Sequence, residues 1–155
     1  MLNAASLKKL AKVNPDLIKV CERAEQICKQ RFEIVQGNRT QAEQNAIYAQ
    51  GRTKPGKIVT WTKASKHIGG RAIDFAALVG GKINWNTRYY PEIAAAFKQA
   101  AKELKIGVEW GGDWKTKDWG HVQLALKPPA SVGGAFGRCT TGLAFGPRIV
   151  SVTVA

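Results

Sequence analysis

No apolar run in the chain approaches the roughly 18 residues that a membrane-spanning helix needs, so no membrane span is expected. The first residues, MLNAASLKKLAK, carry lysines but no apolar h-region, and no ordinary secretory signal peptide is expected either. Cysteine is limited to three residues, an odd number, with no Cys-x-x-Cys pair. Neither a disulfide framework nor a cysteine zinc site is therefore indicated. Acidic residues are scarce, 11 against 24 Lys and Arg, giving a formal net charge of +13. Such an imbalance points to an anionic partner (nucleic acid, a membrane surface or a cell-wall polymer), with plain solubility as the alternative. The basic residues are scattered, and no zinc-finger spacing or RNA-binding signature occurs, so nucleic acid is disfavoured. Histidine is scarcer still: His67 and His121 are the only two.

What remains is ample for one globular domain. The chain has 155 residues, 45% of them hydrophobic, which is enough to bury a core. A helix is predicted from Asn14, which can cap it, with Pro15 and Asp16 in its first turn. Leu17, Cys21, Ala24 and Cys28 form its apolar stripe, so the two cysteines read as core packing. Cys139 stands alone near the end of the chain. FEIVQG reads as a short strand, and NRTQAEQNAIYAQG as a second helix opened by a Thr40–Glu43 capping box. A long Gly/Pro/Lys loop leads to the strand RAIDFAAL. A third helix starts near Pro91, with Ile93, Phe97, Ala100 and Leu104 on one side, and GVEWGG and HVQLAL are the last strands. The pattern is α+β: a small, mainly antiparallel sheet packed against about three helices in a single domain. The composition changes at Lys127, which divides the chain into 1–126 and a Gly/Pro-rich segment, 127–155, read as a tail or an added hairpin.

The chemistry gathers around SKHIGGRAIDFAAL, Ser65 to Leu78. In its strand, Ile73, Phe75 and Ala77 face one way and Ala72, Asp74 and Ala76 the other. An acid between small alanines on a strand is disfavoured, and needs a partner if it is buried. A cation would supply one. His67 and Asp74 differ by an odd number of residues, so one continuous strand would put them on opposite faces. A tight turn at Gly69-Gly70 could swing His67 back over Asp74. In DWGHVQLAL, Val122, Leu124 and Leu126 form the core face, and His121 and Gln123 the other. If this strand pairs with RAIDFAAL, His121 joins Asp74 on the non-core side. Two nitrogens and one oxygen with an open fourth position make up a catalytic zinc site. The competing assignment is two unconnected surface histidines and a structural Asp–Arg pair.

These residues resemble a known family. SKHIGGRAID fits Ser-x-His-x-x-Gly-x-Ala-x-Asp through Ser65, His67, Gly70, Ala72 and Asp74, and DWGH places Asp118 three residues before the last histidine. Together they resemble the D-alanyl-D-alanine carboxypeptidase-like zinc metallopeptidases, in particular the phage endolysins that are L-alanyl-D-glutamate endopeptidases. The resemblance runs from about Asn14 to Leu126. It implies that His67, Asp74 and His121 bind one Zn2+ per chain and that Asp118 is the general base. It also implies that Arg39 and Gln44 are the family's Arg-x-x-x-x-Gln element, with the arginine steadying the oxyanion. Read without the family, Arg39 is a solvated residue before a helix cap and Gln44 a surface residue. The carboxypeptidases commonly carry Glu before the last histidine where this chain has Asp118, so Asp113 and Glu109 stay open as alternative bases. Ser65 is a candidate hydrogen-bond donor in the site or a turn former. Trp61, Trp110, Trp114 and Trp119 are candidates for a substrate groove or for packing.

The resemblance implies a peptidoglycan peptidase that cuts the L-alanyl-D-glutamate bond of the stem peptide. It would act as a monomer, held in the host bacterial cytoplasm until holin-type release, its charge drawing it to anionic wall or outer-membrane polymers. The alternatives are a D,D-carboxypeptidase or dipeptidase acting on D-Ala-D-Ala and a non-catalytic cationic wall-binding protein.

Overall fold

The computed structural model describes residues 1–126, and the segment expected to form a tail or hairpin lies outside the described residues. Four helices and five strands occur among the described residues. They run α1 (Ala4–Leu10), α2 (Pro15–Ile27), β1 (Phe32–Gln36), α3 (Gln41–Ala49), β2 (Ala72–Val79), β3 (Lys82–Asn84), α4 (Tyr90–Leu104), β4 (Val108–Trp110) and β5 (His121–Leu124). None of these helices is long and apolar enough to cross a membrane.

The helix starts follow their sequence signals. The Asn14 side chain accepts the Asp16 N–H at 2.9 Å, with Pro15 in the first turn of α2. At α3, Thr40 and Glu43 form the full capping box. The sheet is antiparallel, in the order β1-β2-β5-β4, with β3 paired to the far end of β2. β2 is central. Its Asp74 faces Gln36 of β1 across one edge and His121 of β5 across the other. A bulge between Ile34 and Gln36 breaks the β1 register one step from Asp74. Bulges re-aim the chain beside functional sites, and here the strand leads directly into Gly37, Asn38 and Arg39.

The apolar face of the sheet is buried under α2 and α4. Ile34, Ile73, Phe75, Ala77, Val122 and Leu124 pack with Leu17, Val20, Cys21 and Ala24 and with Ile93, Phe97 and Ala100. Phe75 sits 5.2 Å from the Phe97 ring and 5.5 Å from the Tyr90 ring. Deleting such an aromatic side chain costs about 3–5 kcal/mol. The core therefore fixes β2, and with it the side chain of Asp74 on the opposite face.

The structure adds to the expected outline and trims it. α1 is a fourth helix, beyond the three expected. Its seven residues are too few to signal themselves by periodicity. Its fully buried Ser6 accepts the Ile34 N–H at 3.0 Å, serving the strand next to the bulge. The predicted core stripes overreach at their ends. Leu104 is 38% exposed and Leu126 78%, because α4 and β5 end where the sheet stops covering them. Cys28 caps α2 in an extended conformation and is only partly buried, so it leaves the helical stripe.

Candidate metal and catalytic site

Asp74 and His121 are directly opposed across β2 and β5, so both side chains rise from the non-core face, as strand parity predicts. His121 Nδ1 lies 2.9 Å from Asp74 Oδ1. His67 comes from the loop before β2, and its Nε2 lies 3.2 Å from the same Asp74 oxygen. The turn at Gly69-Gly70 makes this possible, both glycines being left-handed with φ of 80° and 69°. The Gly70 N–H donates to the His67 carbonyl at 3.0 Å, and the Arg71 N–H to the Lys66 carbonyl at 3.0 Å, closing the turn.

A second segment clamps His67. The chain leaving β1 sends the Arg39 N–H to the His67 carbonyl at 2.9 Å. The His67 Nδ1 lies 2.9 Å from the Gly37 carbonyl, to which it can only donate. His121 is held likewise: its Nε2 lies 3.3 Å from Gln123 Oε1, and the Gln123 amide donates to Glu109 at 2.8 Å. Each ring thus uses its far nitrogen as a donor. In the neutral imidazole the near nitrogen then presents a lone pair, and both near nitrogens face one carboxylate oxygen. Lone pairs aimed at an anion require a cation between them, either protons on the rings or one metal ion.

The residues fit a metal. One donor atom from each of His67, Asp74 and His121 lies within 4.8 Å of the others. Both histidines are buried, and Asp74 is partly open to a cleft. Two imidazole nitrogens, a carboxylate and an open side suit a first-row divalent ion, and the outer partners on the far nitrogens are those that orient metal-bound histidines. The electrostatics agree. Burial raises the Asp74 carboxyl, but hydrogen bonds from His121 and His67 and their charges outweigh it and hold Asp74 well below the usual carboxylate range. Burial lowers His121, but the Asp74 hydrogen bond and charge win, leaving it above its ordinary value. The pocket draws positive charge.

A cleft of roughly 300 Å³ opens over these three side chains, with Arg39, Ser65, Trp114 and Asp118 in its walls. Asp118 is placed by its backbone: its N–H donates to the Gly111 carbonyl at 3.0 Å, and its carbonyl accepts the His121 N–H at 3.2 Å. Desolvation of its carboxyl, then the Asp74 charge, raise its pKa, and His121 and His67 offset this only in part. The other acids point elsewhere. Asp113 pairs with Lys98 at 2.6 Å on the surface, and Glu109 accepts from Gln123. Neither lines the cleft.

Arg39 reaches the cleft, whereas Gln44 does not. Gln44 is fully buried, and its Oε1 accepts the Arg39 guanidinium at 2.8 Å. Its amide donates to the Thr62 carbonyl at 2.7 Å and lies 3.3 Å from Thr60 Oγ1. It ties the arginine to the loop forming one wall of the cleft. The Ser65 Oγ accepts the His67 N–H at 3.3 Å, so this serine shapes the turn as well as lining the cleft. Of the four tryptophans singled out in the sequence, Trp114 lies tilted with its ring centre 5.2 Å from that of His121, and Trp110 is core, its Nε1 donating to the Trp119 carbonyl. Trp61 lies 80% exposed beside Arg52. Sequence reasoning missed the outer partners. Gln123 could have been found from its position two residues from His121 on one strand face, but the Gly37 carbonyl leaves no signal in the sequence.

The chain is similar to known proteins over the same region. The family model described as phage L-alanyl-D-glutamate peptidase matches residues 1–124. An L-alanyl-D-glutamate peptidase of Escherichia phage T5 is 41% identical over 132 residues, covering 77% of this chain and 93% of that protein. The peptidoglycan L-alanyl-D-glutamate endopeptidase CwlK of Bacillus subtilis (strain 168) is 40% identical over 104 residues, 59% of each chain. The crystal structure of the Serratia marcescens L-Ala D-Glu endopeptidase ChiX superimposes with a TM-score of 0.71 at 37% identity, covering 79% of this chain and 87% of that one. With one family model spanning nearly all the described residues and a phage relative matched over nearly its full length, this chain belongs to the phage L-alanyl-D-glutamate peptidase family.

Proposed function

We infer that the chain hydrolyses the L-alanyl-D-glutamate amide of the peptidoglycan stem peptide, with one zinc ion held by His67 Nε2, the Asp74 carboxylate and His121 Nδ1. The observation carrying this reading is the single carboxylate oxygen faced by two ring nitrogens, in a cleft that also holds Asp118 and Arg39. Held there by His67, Asp74 and His121, a zinc ion would supply a Lewis acid for the scissile carbonyl and would lower the pKa of water toward neutral pH. Asp118 takes the proton from the attacking water and returns it to the departing amine. Its position in the cleft wall beside the three candidate ligands suits it to both transfers. Arg39 donates to the carbonyl oxygen as it becomes an oxyanion, and Gln44 holds the guanidinium in place for that moment. Gly37 and Gln123 fix the two imidazoles so that their near nitrogens stay turned inward.

The substrate is that of the relatives' names, L-alanyl-D-glutamate in peptidoglycan. The catalytic unit is residues 1–126, acting as a monomer. The net charge of +13 draws it to anionic wall or outer-membrane polymers, and it waits in the host cytoplasm for a holin-type pore. Digestion of purified peptidoglycan with mass analysis of the fragments tests the reading. New N-terminal glutamate is expected, whereas released D-alanine would mean a D,D-carboxypeptidase. Asp118→Ala should abolish release while keeping about one zinc per chain, and His67→Ala should lose both. Lysis by both variants at the wild-type rate would leave only wall binding.

A further inference from the structure

A second cleft, about 410 Å³ in volume, adjoins the first. The two meet at Asp74 and Asp118 and share no other lining residue. Their chemistry differs. The first carries Arg39 and Lys66 among threonines and Ser65. The second is walled by Val35, Trp85, Thr87, Tyr90, Lys117 and Trp119.

Trp85 is 63% exposed, yet its backbone is pinned. The Asn84 side chain accepts the Asn86 N–H at 2.9 Å, and the Asn86 side chain accepts the Arg88 N–H at 3.1 Å. Lys117 donates to the Gly112 carbonyl at 2.7 Å, which steadies its ammonium at the rim. An exposed indole carried on a hydrogen-bonded turn, in one cleft with a hydroxyl and an ammonium, is unlike a packing residue. It offers a flat apolar face with donors at its edge, the combination that takes a sugar ring.

A peptide crossing from one cleft to the other passes Asp74 and Asp118 at the junction, with His67 and His121 on the first side. The two sides of the scissile bond differ in charge. Glutamate has two carboxyl groups and uses one to continue the chain, so the D-glutamyl side carries a free carboxylate. That suits the cleft with Arg39 and Lys66. The L-alanyl side is uncharged and joined to the lactyl-bearing sugar of the glycan strand.

We propose that the Trp85–Thr87–Lys117 cleft is the glycan-side subsite, holding the sugar that carries the L-alanine with its ring stacked on Trp85. The proposal rests on the L-alanyl-D-glutamate reading, and it makes the enzyme selective for stem peptides still attached to glycan.

The test compares kcat/KM for a disaccharide-linked stem peptide with kcat/KM for the same peptide N-acetylated and free of sugar. Zinc-loaded wild type should prefer the sugar-bearing substrate. Trp85→Ala should lower that preference about five- to tenfold, chiefly through KM, and Trp85→Phe should restore most of it. Thermal melts of the variants should stay near wild type, because the side chain is exposed. An unchanged preference in Trp85→Ala, or a wild type indifferent to the sugar, overturns the subsite while leaving the reaction intact. Cleavage of neither substrate by wild type overturns the reaction itself, and the subsite with it.

Discussion

Gly69 and Gly70 are neighbours in one turn, both left-handed, yet alanine should be tolerated very differently at the two positions. At Gly69 an added Cβ meets nothing within 4 Å, so the cost is backbone strain alone, about 1–2 kcal/mol. At Gly70 the strain is the same, but the Cβ would sit 2.5 Å from the Lys12 carbonyl oxygen and 2.8 Å from Val13 Cα. These are backbone atoms of the α1–α2 connection, and Asn14 in that connection donates its N–H to the Gly70 carbonyl at 2.9 Å. They cannot yield without breaking that bond, so overpacking adds about 1–3 kcal/mol and the total reaches about 2–5 kcal/mol. The displacement also reaches the metal site, because the Gly70 N–H is bonded to the His67 carbonyl. Urea denaturation followed by tryptophan fluorescence gives both stabilities, and competition with a chromophoric chelator gives both zinc affinities. Gly70→Ala should be the less stable variant by at least about 1 kcal/mol and should lose zinc affinity, with Gly69→Ala close to wild type in affinity. Equal destabilisation, or full zinc affinity in a folded Gly70→Ala protein, would refute the reasoning.

Gln44→Leu keeps the buried volume but strips Arg39 of its side-chain partner and leaves the Thr62 carbonyl only the long Thr60 hydroxyl bond at 3.4 Å. It should cost about 1–3 kcal/mol of stability and lower kcat more than it raises KM, measured by denaturation and steady-state kinetics. Gln123→Leu removes the acceptor at His121 Nε2 and should weaken zinc binding about 10–100-fold, whereas Glu109→Gln, one bond further out, should do much less. Burial pushes the Cys28 thiol up from 9.0 to about 11 and the fully buried Cys21 thiol higher still. The folded state therefore favours the neutral thiols. The stability they contribute is fully present below their unfolded value and is lost as pH rises through about 11 for Cys28. Denaturation midpoints should fall over that range, and fall less in Cys28→Val; an identical decline in that variant counts against the linkage.

The parts of the site that repeat along a strand were legible in the sequence, and those that depend on distant segments were not. Strand parity put Asp74 and His121 on one face on the condition that their strands pair, and their direct opposition across β2 and β5 meets that condition. The Gly-Gly pair announced the turn that brings His67 to the same carboxylate, because both residues need φ values that glycine adopts freely. The capping box at Thr40 and Glu43 gave the start of α3 for the same local reason. Gln44 reads as an ordinary polar residue on a short helix, but it is fully buried, because the 60–62 loop folds over it and supplies hydrogen-bond partners from 16 and 18 residues away. The Gly37 carbonyl, 30 residues before His67, is a backbone atom with no side chain to mark it. Trp85 hides for the opposite reason. In the sequence it stands among polar residues as one more aromatic between elements, and only its exposure in a cleft that Asp118 also lines separates it from packing tryptophans such as Trp110. Candidate ligands carried by a strand and a turn are thus readable from periodicity and glycine, whereas the groups that hold them in place and the walls of the two clefts come from loop closure. Loop closure is a tertiary property, so mutations at Gln44, Gln123 and Trp85 test the structure more stringently than mutations at the histidines.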